Sequence, residues 1–143
     1  MASVPNQGNG AGDYRYLGVQ NSTQAAKFIT FPYISTVVTQ HIFIAPTRLR
    51  LAAIWGVPRV AGSGGACTFS FYKTKDAVAV ASGTILHSGT YDLVGTADTN
   101  QYLTLVTDLS TLSFLPGDRL GVALTGTATS AVGAITFQFE PTN

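Results

Sequence analysis

Arg48-Leu49-Arg50-Leu51-Ala52-Ala53-Ile54-Trp55-Gly56-Val57, closed by Pro58, is the stretch that decides the fold class. Leu49, Leu51, Ala53, Trp55 and Val57 alternate with Arg48, Arg50, Ala52 and Ile54. A period of two is what a strand with one buried face requires, and it places Trp55 in the core. The same pattern recurs on both sides. Phe28 to Tyr33 is aromatic and β-branched, with Pro32 marking an edge position, and Val37 to Ile44 runs up to Pro46. Cys67 to Lys73 follows the glycine-rich turn 61–66, and Thr84 to Tyr91 and Gln101 to Thr107 read as weaker strands. Leu120, Val122 and Leu124 form one inward row, and Ile135, Phe137 and Phe139 form another, with Pro141 closing the strand.

No window carries a 3.6-residue period with caps; Asp76 to Ala81 has room for one helical turn. About eight short strands, with turn signals at the spacing of a sandwich or barrel, predict an all-β, antiparallel sandwich in one domain over 27–143. The expected inward set is Leu49, Leu51, Trp55, Phe69, Phe71, Leu103, Leu105, Leu120, Val122, Leu124, Ile135, Phe137 and Phe139. Residues 1–26 differ. Gly8, Gly10 and Gly12 impose little structure, while Tyr14, Tyr16 and Leu17 are too apolar for an idle linker. An extended N-terminal arm that docks these side chains is the expectation.

The charged fraction is 10%, against roughly 25% in average soluble domains. A surface built from Thr, Ser, Gln, Asn and Gly suits a protein partly covered by neighbours or copies of itself. The net charge of +1, with only Arg15 in the arm, argues against nucleic acid as a partner. The start of the chain has neither a basic n-region nor an apolar h-region, and no apolar run reaches membrane-spanning length. Synthesis in a reducing cytosol, with no membrane partner, is therefore expected, and Asn21-Ser22-Thr23 is read as a chance sequon.

Catalytic groups do not converge in the sequence. His41 and His87 lie on different strands without a carboxylate at ligand spacing, and the one cysteine, Cys67, sits in an apolar alternation. There is no Gly-x-Ser-x-Gly elbow and no phosphate loop. Asp92, Asp98, Asp108 and Asp118 fall in or near turns, where aspartate hydrogen-bonds its own backbone. The expectation is a protein that is not an enzyme and carries no cofactor or metal. Arg48, Arg50 and Arg59 form a candidate secondary contact for an acidic partner surface. Tyr72, Tyr91 and Tyr102 are the aromatics that a carbohydrate- or receptor-binding module, such as a fibre tip or lectin, would expose.

Leu112-Ser-Phe-Leu-Pro-Gly-Asp-Arg-Leu-Gly-Val-Ala-Leu-Thr-Gly126 places a Pro116-Gly117 turn, capped by Asp118, ahead of a core strand. This run resembles the closing strands of jelly-roll proteins. With the small size, the low charge and the arm, the whole chain is similar to head decoration (cement) proteins of tailed bacteriophages. That resemblance implies a jelly-roll homotrimer on the capsid surface of a virion, made in the host cytoplasm and clamping neighbouring major capsid subunits. Tyr14, Arg15, Tyr16 and Leu17 of the arm would make the grip. The carbohydrate- or receptor-binding module stays open as the alternative.

Overall fold

The structure, a computed structural model, describes residues 25–34 and 38–142. Eleven strands run in chain order: β1 Lys27–Ile34, β2 Gln40–Ile44, β3 Leu49–Val60, β4 Ser63–Thr74, β5 Thr84–Ile85, β6 His87–Ser88, β7 Tyr91–Asp92, β8 Gln101–Leu105, β9 Ser113–Phe114, β10 Arg119–Thr129 and β11 Val132–Pro141. They form two antiparallel sheets. One is ordered β1-β11-β3-β8-β6, with β9 also on β3, and the other β2-β10-β4-β5, with β7 also on β4. With the short pieces merged into their neighbours, the strands count as 1-8-3-6 facing 2-7-4-5. This is the order of a jelly roll, in which successive strands repeatedly cross from one sheet to the other.

Aromatic side chains weld the two sheets. Phe71 of β4 meets Phe137 of β11 edge-on with centroids 5.0 Å apart, Phe43 of β2 meets Phe139 of β11 at 5.3 Å, and Tyr33 of β1 meets Phe69 of β4 at 5.5 Å. The Phe71–Phe137 and Tyr33–Phe69 contacts set the positive edge of one ring against the negative face of another. Phe69, Phe71, Phe137 and Phe139 are fully buried.

The inward rows stand as the alternation predicts, with one correction. Trp55 is not in the core. The β3–β11 register shifts between Gln138, opposite Ala53, and Phe139, opposite Leu51. Ala52 is the extra residue of this β-bulge, and a one-residue slip turns every later side chain to the other face. Leu49 and Leu51 point inward before it; Ile54 points inward after it, and Trp55 turns to the outer face. Ile54, buried where the simple alternation puts an outward residue, takes the place given to Trp55.

Two other expectations change. Pro58 does not end β3, which continues to Val60. Its partner β8 leaves β3 after Gly56, so no ladder bond is demanded of the missing N–H, and the Pro58 carbonyl accepts from Asp98 N–H at 2.7 Å. The segment Thr84 to Tyr91 is not one strand. It breaks into β5 and β7, which pair with β4, and β6, which pairs with β8 of the opposite sheet. Gly89, at φ +71°, makes the bend between them. The helical turn expected near 76–81 is a 3-10 turn at Val80–Ser82.

Replacing Phe137 with Ala should cost about 3–5 kcal/mol in chemical denaturation, the range for a large buried aromatic. Replacing Tyr102, which is 71% exposed, should stay within about 0.5 kcal/mol of the parent. Comparable losses at both positions would contradict this layering.

Candidate functional site

The turn that opens β10 shows how the local sequence sets one end of the sandwich. Gly117 takes φ +92°, and Asp118 accepts from Leu115 N–H through Oδ2 at 2.9 Å. The Gly117 and Ala45 amides cross-link this turn to the β2–β3 connection at 2.8 Å each. Lys75 donates to Asp118 Oδ1 at 2.6 Å. Burial pushes the Asp118 carboxyl up, but the Lys75 hydrogen bond and the Leu115 amide outweigh it and hold the group below the usual carboxylate range. Asp92, Asp98 and Asp108 likewise sit in or beside turns. Asp92 accepts from Val94 N–H at 2.9 Å, Asp108 caps the helical turn Leu109–Leu112, and Asp98 adopts φ +57°.

Most of the charge on the described surface gathers at this end, where β1 and β3 begin. Arg50 pairs with Glu140 at 2.7 Å and Arg119 pairs with Asp76. Lys73 reaches the Ser110 and Ser113 carbonyls at 2.8 and 2.7 Å and lies over the Phe114 ring. Between these groups the end is apolar. Ile44, Leu109 and Leu115 are exposed, and an open groove of about 450 Å³ lies among Lys27, Ile29, Phe43, Pro46 and Leu49. Ala26, near the start of the described residues, also lines this groove.

The residues singled out by sequence fall in different places. Tyr14, Arg15, Tyr16 and Leu17 lie outside the described residues. Arg48, Arg50 and Arg59 do not form one patch. Arg48 and Arg59 are exposed at opposite ends of β3, roughly 35 Å apart at about 3.3 Å per residue, and Arg50 is occupied by Glu140. Of the three tyrosines, only Tyr102 stands clear of the surface; Tyr72 is half-buried. Tyr91 is fully buried, its hydroxyl 3.0 Å from that of Tyr33, and burial pushes its ionisation far above the ordinary tyrosine value.

What the sequence reading missed is the outer face of the larger sheet. The bulge at Ala52 brings Trp55 out beside Tyr102, its register partner on β8. Across β11, Phe28 packs edge-on against Trp55 with centroids 6.4 Å apart, and it is 58% exposed. Thr136 and Gln138 lie in the rows between them. A band of three aromatic rings therefore crosses four strands with no carboxylate, ammonium or guanidinium group in it. On the far sheet Val80 sits directly on Gly121. The sequence signal for the band is the Ala52-Ala53-Ile54 triplet, where an apolar residue breaks the outward series.

His87 is structural. It is buried, and its Nε2 accepts from Phe71 N–H at 2.9 Å, which fills the gap in the β4 edge between β5 and β7. Nδ1 faces the Ser88 carbonyl at 3.2 Å. Among the described residues no three His, Cys, Asp or Glu side chains converge, and no helix is long and apolar enough to cross a membrane.

No family model and no curated protein matches the chain. Among solved structures it is similar to a chain of infectious bursal disease virus, Gx strain, at 18% identity and a TM-score of 0.39. That likeness covers 83% of this chain, which spans 33% of the viral chain. It is also similar to a chain of Bacillus endospore appendages, described as disulfide-linked pili, at 14% identity and a TM-score of 0.33. There the coverage is 82% of this chain and 88% of that one. The fold assignment rests on the strand order and not on either likeness.

The His87 arrangement predicts an acid-side loss of stability. Burial lowers the imidazole pKa, against the pull of the Ser88 and Gly89 carbonyls, because the ring must stay neutral to accept from Phe71. The unfolded chain, with a histidine pKa near 6.5, then binds more protons below that pH than the folded chain does. This contribution is fully present above about pH 6.5 and is lost as the pH falls below it. Thermal unfolding followed from pH 7.5 to pH 5 should show the decline, and His87→Gln should flatten it. An unchanged slope in the variant would reject the assignment.

Proposed function

We propose that this protein is a non-enzymatic structural virion component, a decoration or cement protein that seats on major capsid subunits by protein–protein contact. The observation that carries the reading is the apolar character of the end where β1 begins. The groove at Ala26, Ile29, Phe43 and Leu49 and the exposed Ile44, Leu109 and Leu115 lie there together. A segment bearing Tyr14, Arg15, Tyr16 and Leu17 would extend that apolar surface outward into a clamp. The three ion pairs at the same end are already closed within the chain, so docking leaves no newly unpaired charge among them.

Low overall charge supports the same reading. A chain with a charged fraction of 10% depends less on its own surface for solubility when copies and neighbours cover part of it. A closed homotrimer is the assembly we assign, with a capsid as the second partner and no nucleic acid. Weak contacts of this kind gain strength by repetition over a shell.

The test mixes purified protein with undecorated particles and measures co-sedimentation, beside a variant lacking residues 1–20. The full chain should bind. The truncated chain should unfold at nearly the same temperature as the parent but lose particle binding. Equal decoration by both chains would reject the clamp, and no binding by the full chain would reject the virion role.

A further inference from the structure

The aromatic band on the outer face meets the apolar end at Phe28, which also lines the groove there, while Trp55 and Tyr102 lie beyond it. Its make-up is specific. Trp55 stands between Phe28 on one side, at 6.4 Å, and its register partner Tyr102 on the other. Adjacent strands lie about 4.8 Å apart, so a band from β1 across β11 and β3 to β8 spans roughly 14 Å. Gln138 and Thr136 fill the rows between the rings, and Asn100 donates to the Tyr102 hydroxyl at 3.3 Å. On this face Arg50 and Glu140 pair with each other at 2.7 Å.

We infer that this band is a binding platform for a neutral oligosaccharide. Ring faces carry the negative side of the π quadrupole and attract the weakly positive C–H groups on the flat face of a sugar. The amide and hydroxyl groups beside them supply donors and acceptors for sugar hydroxyls without any fixed charge. An anionic or cationic ligand would find no counter-charge here. A protein partner fits less well, because a strip a few side chains wide is far smaller than the ~800 Å² that each side of a standard interface contributes. A jelly-roll sheet held rigid by its inner aromatics also presents the rings without a cost in ordering the backbone.

Trp55 is the chain's single tryptophan, so the platform reports on itself. The test titrates full-length protein with a panel of neutral hexasaccharides built from glucose, mannose, galactose, xylose or N-acetylglucosamine, reading Trp55 fluorescence and calorimetric heat. At least one member should bind and shift the emission. Tyr102→Ala and Trp55→Ala should each weaken that binding by at least about tenfold, equivalent to about 1.4 kcal/mol. Tyr72→Ala, on the other sheet, should leave it unchanged. Tyr102 is exposed enough that its variant keeps the fold, so a folded Tyr102→Ala protein that binds undiminished would overturn the platform. Silence across the whole panel would overturn it too. So would a Tyr102→Ala change that dissolves an oligomer without touching sugar binding, since the face would then belong to a second copy. Particle binding should be unaffected by Tyr102→Ala, which separates failure here from failure of the clamp.

Discussion

The bulge at Ala52 is the constraint on which the rest of this molecule turns. β3 lies inside its sheet, between β11 and β8, and must bury one face against the opposite sheet along its whole length. Its sequence offers Leu49 and Leu51 in one phase and Ile54 in the other. Keeping a single phase would send either the two leucines or the isoleucine to the surface. One extra residue at Ala52, small enough to sit in a bulge, lets both sets point inward. The consequence is that Trp55 emerges on the outer face, beside Tyr102 and within reach of Phe28. The core and the candidate platform are thus two results of one register shift.

The two faces and two ends of the sandwich are unlike one another for related reasons. Inside, the Phe71–Phe137 and Phe43–Phe139 contacts hold the sheets together with rings that are fully or largely buried. On the smaller sheet, Val80 covers Gly121, so that face is closed in part by the chain's own 3-10 turn. The outer face of the larger sheet has no such cover among the described residues around Trp55. At the end where β1 begins, the Asp118 turn is locked by the Leu115 amide and by Lys75. Ion pairs and apolar side chains are interleaved there.

Much of the fold was legible because alternation needs only local information. The rows Phe69–Phe71, Leu120–Val122 and Ile135–Phe137–Phe139 are inward as the period of two requires. The Pro116-Gly117-Asp118 turn forms as its residue types dictate. Trp55 was misplaced because a bulge depends on what the partner strand needs. Only the pairing of Phe139 with Leu51 and of Gln138 with Ala53 reveals it. Tyr91, at the end of the expected strand Thr84 to Tyr91, reads as an aromatic that a binding module would expose; its burial beside Tyr33 is a contact 58 residues away in sequence. The spread of the arginines has a simpler reason: Arg48 precedes the first residue of β3 and Arg59 lies near its far end.

The phase of β3 at Trp55 is the central claim, and the fluorescence of the single tryptophan tests it most directly. With Trp55 half-buried on the outer face beside Phe28, acrylamide should reach and quench it in the native protein, and the native emission should lie to the red of that of a core tryptophan. Neither property should depend on unfolding the chain. A blue-shifted native emission that resists acrylamide until the protein is denatured would put Trp55 in the core, and with it would fall both the bulge and the platform.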